Sequence, residues 1–181
     1  MAAPAISIEY PTILNLGCGN KYVQGAINLD VTGASRPDVV HNLNQRPWPF
    51  ANDSFEKLLA YDVIEHLEDI SATMEEIQRI CRPGAIVHIT VPHFSSANAF
   101  ADPTHRHFFS KFSMDYFTSG HPTKFYSQAR FVVRTARIQF YPTLVNKVVH
   151  RLANHYPEKY EKRWAWIFPA WFMSYELEVV K

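Results

Sequence analysis

The run from Ala85 to Val91, closed by Pro92, is apolar at most of its positions, and a strand of that composition belongs where helices cover both of its faces. This predicts a parallel, doubly wound sheet. The segments before it agree. Thr12 to Leu16 is a short apolar run stopped by Gly17, Ala26 to Leu29 is another stopped by Asp30, Val39 and Val40 mark a weaker third strand, and Phe55 to Tyr61 is a fourth ending at Asp62. Met74, Ile77 and Cys81 recur after Ile70 at helical spacing, with Asp69 placed to cap the first turn and Pro83 with Gly84 to stop the helix. Downstream, Phe131 to Val133 and Ile138 to Tyr141 read as extended, and Leu144, Val145, Val148, Val149 and Leu152 form a helical stripe. Finally, Tyr175, Leu177 and Val179 alternate with Glu176 and Glu178, as in a half-exposed antiparallel strand. The expected fold is α/β: a Rossmann-like, mainly parallel sheet with an antiparallel last strand and a closing hairpin.

With 181 residues and no repeat or linker, the chain reads as a single domain spanning 1–181. Its 47% apolar and 19% charged residues exclude a disordered chain. The net charge of +1 does not favour nucleic acid as a partner. The two cysteines, Cys18 and Cys81, suggest neither a disulfide framework nor a zinc site. Met1 to Ile8 has no basic leader, and no apolar run is long enough for a transmembrane segment. A soluble cytoplasmic protein is expected, with a homo-oligomer left open.

In Leu14-Asn15-Leu16-Gly17-Cys18-Gly19-Asn20 two glycines follow the first strand, where a backbone without Cβ atoms lets a ligand come close. A tight strand-exit turn is the plainer reading. Asp30, at the end of the second strand, is placed to accept hydrogen bonds from both hydroxyls of a ribose, although a solvated turn carboxylate would read the same way. Together the pair points to a nucleoside. A dinucleotide is disfavoured, because Tyr22 stands at the third glycine's position and the acidic residue comes early. No GxSxG elbow occurs, which argues against an esterase.

The ordered segments LNLGCGN, INLDV, DVVHNLNQRPWPFANDSF, YDVIEHL and ICRPGAIVHITVP resemble a class I S-adenosylmethionine-dependent methyltransferase, closest to the type 11 group, over Ile13 to about Phe117. The resemblance implies the class I methyltransferase fold and S-adenosylmethionine as cofactor. It sets Leu16, Gly17 and Gly19 against the cofactor's amino-acid part, Asp30 on its ribose, and Asn42 and Leu43 beside adenine. Asp62 and Val63 would lie next to the methyl donor, with a short helix starting near Glu65 and His66 closing the pocket. Asn15 and Asn42 depart from the acidic residues common at those positions, and the Gly19 to Ala26 connection is too short for a crossover helix.

The acceptor side falls in 93–128 and 142–172. His93, His105 and His107 are the candidate catalytic bases for a hydroxyl acceptor, a small molecule or a sugar. The HxH spacing with Asp102 also suits a shared metal, and structural packing is the third reading; no metal ligand set is assigned. The aromatic stretch Trp164 to Phe172 reads as core or lid packing, with an interfacial contact as the competing reading. The functional rival is a catalytically silent nucleoside-binding or protein-interaction domain of the same fold.

Overall fold

The computed structural model describes residues 12–122 and 126–181; the Met1 to Ile8 stretch lies outside the described residues. Along the chain come β1 (Ile13–Leu16), β2 (Ile27–Asp30), β3 (Val39–Val40), β4 (Phe55–Tyr61), α1 (Ile70–Ile80), β5 (Cys81–Pro92), the short α2 (Asn98–Ala101), β6 (Arg130–Gln139), α3 (Leu144–His155), α4 (Pro157–Arg163) and β7 (Phe172–Val180). They form one seven-stranded sheet in the order β3-β2-β1-β4-β5-β7-β6. The first five strands of that order pair in parallel, and β7 runs antiparallel between β5 and β6. The chain leaves β1 outward through β2 and β3, then returns to β4 on the other side of β1. The carboxyl ends of β1 and β4 therefore flank a topological switch point, the place where open α/β sheets bind ligands.

Leu14, Leu58, Val87 and Leu177 are register partners across four strands and are all fully buried. Met74, Ile77 and Ile80 of α1 belong to the same core, and each such side chain contributes about 1.5–3 kcal/mol by leaving water. The neighbouring row, Asn15, Leu59, His88 and Glu176, faces the other way and is largely polar. On β5, Ile86, His88 and Thr90 are only half-buried, so the expected cover on both faces is not found. Right-handed crossovers from β1 to β2 and from β4 to β5 move in opposite directions and so fall on opposite faces. The β1–β2 connection carries turns alone and the β2–β3 connection a single 3-10 turn at Gly33–Ser35, which leaves that face without its helices.

The α1 cap is as expected: Asp69 accepts a hydrogen bond from the Ala72 amide. The helix ends at Ile80, before Pro83 and Gly84, because Cys81 already pairs with Phe55. The register then jumps to Lys57↔Ile86, and Pro83 and Gly84 occupy the slack. β6 is one strand where two runs were expected, with an irregularity between Val133 and Thr135. Its antiparallel partner β7 is no tight hairpin return, since α3 and α4 intervene. β7 starts at Phe172, which therefore leaves the lid segment. Of the α3 stripe only Val149 packs against the core; Leu144, Val145, Val148 and Leu152 are exposed, as are Trp164, Trp166, Ile167 and Phe168. No described helix is long and apolar enough to cross a membrane.

Candidate functional site

The turn after β1 is shaped by its two glycines. Gly17 has φ +55°, and a Cβ there would fall 1.8 Å from Val63 Cγ2, so only glycine lets the β1 and β4 exits close on each other. Gly19, at φ +45°, has nothing within 4 Å of the position a Cβ would take, leaving its surface open to a visitor. Its amide donates to Asp30 Oδ2 at 2.7 Å, and the Thr32 amide donates to Asp30 Oδ1 at 3.1 Å. Two backbone donors thus fix this carboxylate at the end of β2 while each oxygen keeps a free lone pair. Gly17, Asp30, Asn42, Leu43, Asp62 and Val63 help to line a cleft of about 460 Å³. Asn42 Oδ1 accepts from the Asn44 amide, and the Leu43 carbonyl accepts from Trp48 Nε1, so the cleft's far wall is held by its own hydrogen bonds. The Leu16 side chain is wholly in the core, which leaves only its backbone to face a ligand.

Asn15 lies outside this cleft. It is buried, and its Nδ2 donates to the Lys21 carbonyl at 2.8 Å and to Asn28 Oδ1 at 2.9 Å. An aspartate would lose both donors. The amide is therefore the residue that ties the helix-free β1–β2 loop to β2.

A second cleft, about 540 Å³, opens beside the first and shares Asp62 and His66 with it; Glu65, Asn98, Asp102 and His105 are among its other lining residues. Asp62, at the exit of β4, has φ +59°, a left-handed conformation that aspartate tolerates better than most residues. Lys21 Nζ donates to its Oδ2, while Oδ1 is buried without a partner. Glu65 is 1% exposed, and neither carboxylate oxygen has a hydrogen-bond partner. Burial pushes its carboxyl up to about 7, with the Asp62 charge adding to the rise. Its backbone carbonyl accepts from the Arg106 and His107 amides, which pins the 93–128 segment onto the β4 exit. The His66 and His105 rings meet edge-to-face at 4.6 Å, and burial, followed by the neighbouring His105, holds His66 below its ordinary range.

The three candidate histidines are not brought together. His93 is fully buried; its Nδ1 accepts from the Ser95 amide, and its Nε2 faces Glu161 Oε1 at 3.3 Å, so no lone pair remains for a substrate proton. His107 gives Nε2 to the Leu67 carbonyl and lines a separate depression with Phe108 and Met114. His105 alone of the three reaches the second cleft. The ligand-bearing group it joins there is that of Glu65 and His66, not the His107 and Asp102 that the HxH spacing suggested. Sequence reading places Glu65 only at a helix start, and the one signal that marks it is a glutamate adjoining a histidine directly after the strand end that carries Asp62.

Residues 14–89 match the family described as Methyltransferase domain. Among solved structures, the chain is similar to an S-adenosylmethionine-dependent methyltransferase from Mesorhizobium loti, with 17% identity, 92% of this chain and 89% of that one covered, and a TM-score of 0.56. A counterpart from Archaeoglobus fulgidus gives 15% identity, coverage of 92% and 85%, and a TM-score of 0.55. The [4+2]-cyclase SpnF gives 14% identity, coverage of 93% and 74%, and a TM-score of 0.59. No curated protein matches the chain.

Proposed function

We propose that this chain, whose residues 14–89 match the methyltransferase-domain family and whose fold is that of class I S-adenosylmethionine-dependent methyltransferases, is such an enzyme and methylates a hydroxyl oxygen of a small molecule held in the second cleft. When bound, the cofactor supplies a methyl group already activated by its positive sulfur. The residues present suit it. The free lone pairs of Asp30 fit a ribose diol, the open surface at Gly19 admits close approach, and the unpartnered Asp62 Oδ1 suits an ammonium group. Asn42 and Leu43 would border adenine, Gly17 and the Leu16 backbone the amino-acid part, and Val63 and His66 the end nearest the acceptor.

The observation that carries the proposal is the joining of the two clefts at Asp62 and His66. A donor in the first and an acceptor in the second would meet there, and catalysis would rest mainly on alignment and exclusion of water. The acceptor's end would face Glu65, His66 and His105, a group of lone pairs suited to a hydroxyl. Asn15, one of the two departures that favour a silent binding domain, is a strut outside the cleft and no longer argues for that rival. The unpaired Cys18 and Cys81 support a reducing, cytoplasmic setting.

The test supplies methyl-labelled cofactor with a panel of hydroxyl-bearing small molecules and follows S-adenosylhomocysteine release and O-methyl product. The proposal expects oxygen methylation that falls about 10²–10⁴-fold in His105→Ala. Label on nitrogen or carbon, or cofactor binding with no turnover across the panel, would contradict it.

A further inference from the structure

The Glu65 carboxylate, His66 and His105 each place one potential ligand atom so that all three lie within 4.8 Å of one another. The hydrogen bonds around them fix what those atoms are. The Thr104 hydroxyl donates to Asp102 Oδ1 at 2.7 Å, so it can only accept from His66, whose Nδ1 lies 2.8 Å away and must carry the proton. His105 Nδ1 faces the Ala99 carbonyl at 3.1 Å, and a carbonyl only accepts, so this Nδ1 is protonated too. In their neutral forms both imidazoles therefore leave Nε2 without a proton. His105 Nε2 lies 4.0 Å from Glu65 Oε1, and both Glu65 oxygens lack a partner. With Glu65 ionised and both imidazoles neutral, these three groups offer one another acceptors and no donor. Buried lone pairs facing one another are costly unless a proton or a metal cation sits between them.

From this convergence we infer that Glu65, His66 and His105 bind a divalent first-row transition-metal ion at the floor of the second cleft. Two imidazoles and a carboxylate suit Mn²⁺, Fe²⁺, Co²⁺ or Zn²⁺ better than Mg²⁺ or Ca²⁺. The Thr104 and Ala99 contacts are the outer hydrogen bonds that orient metal-binding histidines and select the nitrogen they offer. Three protein ligands leave coordination positions open to the cleft. Resting on the hydroxyl-methylation reading above, those positions favour an acceptor with two adjacent oxygens, such as a vicinal diol, which would chelate the ion and present one oxygen to the donor cleft.

The test needs neither cofactor nor acceptor, so it fails or succeeds independently of that reading. Chelator-treated protein is titrated with Co²⁺ and followed by visible absorption. Saturation at one equivalent with d–d bands is expected, weakened at least about ten-fold in His105→Ala and in His66→Ala, whose circular dichroism is checked first. His66 is half-exposed, so its replacement keeps the test decisive if the variant at the more buried His105 fails to fold. His155→Ala, on α3, should saturate like the unmodified protein. Absence of saturable uptake by the unmodified protein, or titrations unchanged in both His66→Ala and His105→Ala, would overturn the assignment.

Discussion

The two clefts meet at Asp62 and His66 yet are built on opposite principles. In the first, the polar groups satisfy one another: Asp30 takes two backbone amides, Asn42 one, and the Leu43 carbonyl an indole N–H. In the second, Glu65 Oε1, Glu65 Oε2 and Asp62 Oδ1 account for three of the four buried side-chain atoms without partners among the described residues. A self-satisfied wall is rigid and ready before its ligand arrives. An unsatisfied one sacrifices stability until something binds, which is how a site for a charged or reacting group differs from a site for recognition.

The contrast breaks most visibly at Gly17. Gly17→Ala would drive a methyl into Val63 on backbone already at φ +55°, and a loss of about 3 kcal/mol or more in urea unfolding is expected; a loss under about 1 kcal/mol would mean the β1 and β4 exits are not locked together. The second cleft should respond with the opposite sign. Glu65→Gln replaces an unpartnered buried carboxylate by a neutral amide, so in chelator the variant should be more stable than the parent by about 1–2 kcal/mol. Destabilisation of that size would show that the carboxylate is satisfied after all. The smallest stability effect belongs to Gly19→Ala. With open space around the added methyl, only the left-handed backbone resists, at about 1 kcal/mol, while S-adenosylmethionine affinity measured by calorimetry should fall. Unchanged affinity would move the cofactor away from that turn.

The same difference explains what the sequence made legible. The first cleft comes from short strands that each end in a marked residue, Gly17, Asp30 or Asp62, so its outline follows from order and spacing. The sheet was legible for the same reason, including the inward alternation of Tyr175, Leu177 and Val179. Glu65 was not, because its meaning lies in burial under a segment that begins some thirty residues later and contributes His105. Nor could spacing separate His105 from His93 and His107. His93, just past the end of β5, is turned inward against Ser95 and Glu161, and only the fold reveals that. Asn15 misled in a further way: at a motif position it suggested a weakened cofactor contact, when its amide ties two strands on a face that lacks its helices. The α3 stripe shows the limit of periodicity, which identifies an amphipathic helix but not what covers it.

The most direct test of the two-cleft account is calorimetric titration of S-adenosylmethionine and S-adenosylhomocysteine into the unmodified protein and into Asp30→Ala, with folding checked by circular dichroism. The account predicts saturable one-to-one binding that weakens about 10- to 100-fold in the variant, the effect of losing a charged acceptor for the ribose hydroxyls. Binding of equal strength to both proteins, or none to the unmodified protein, would contradict it.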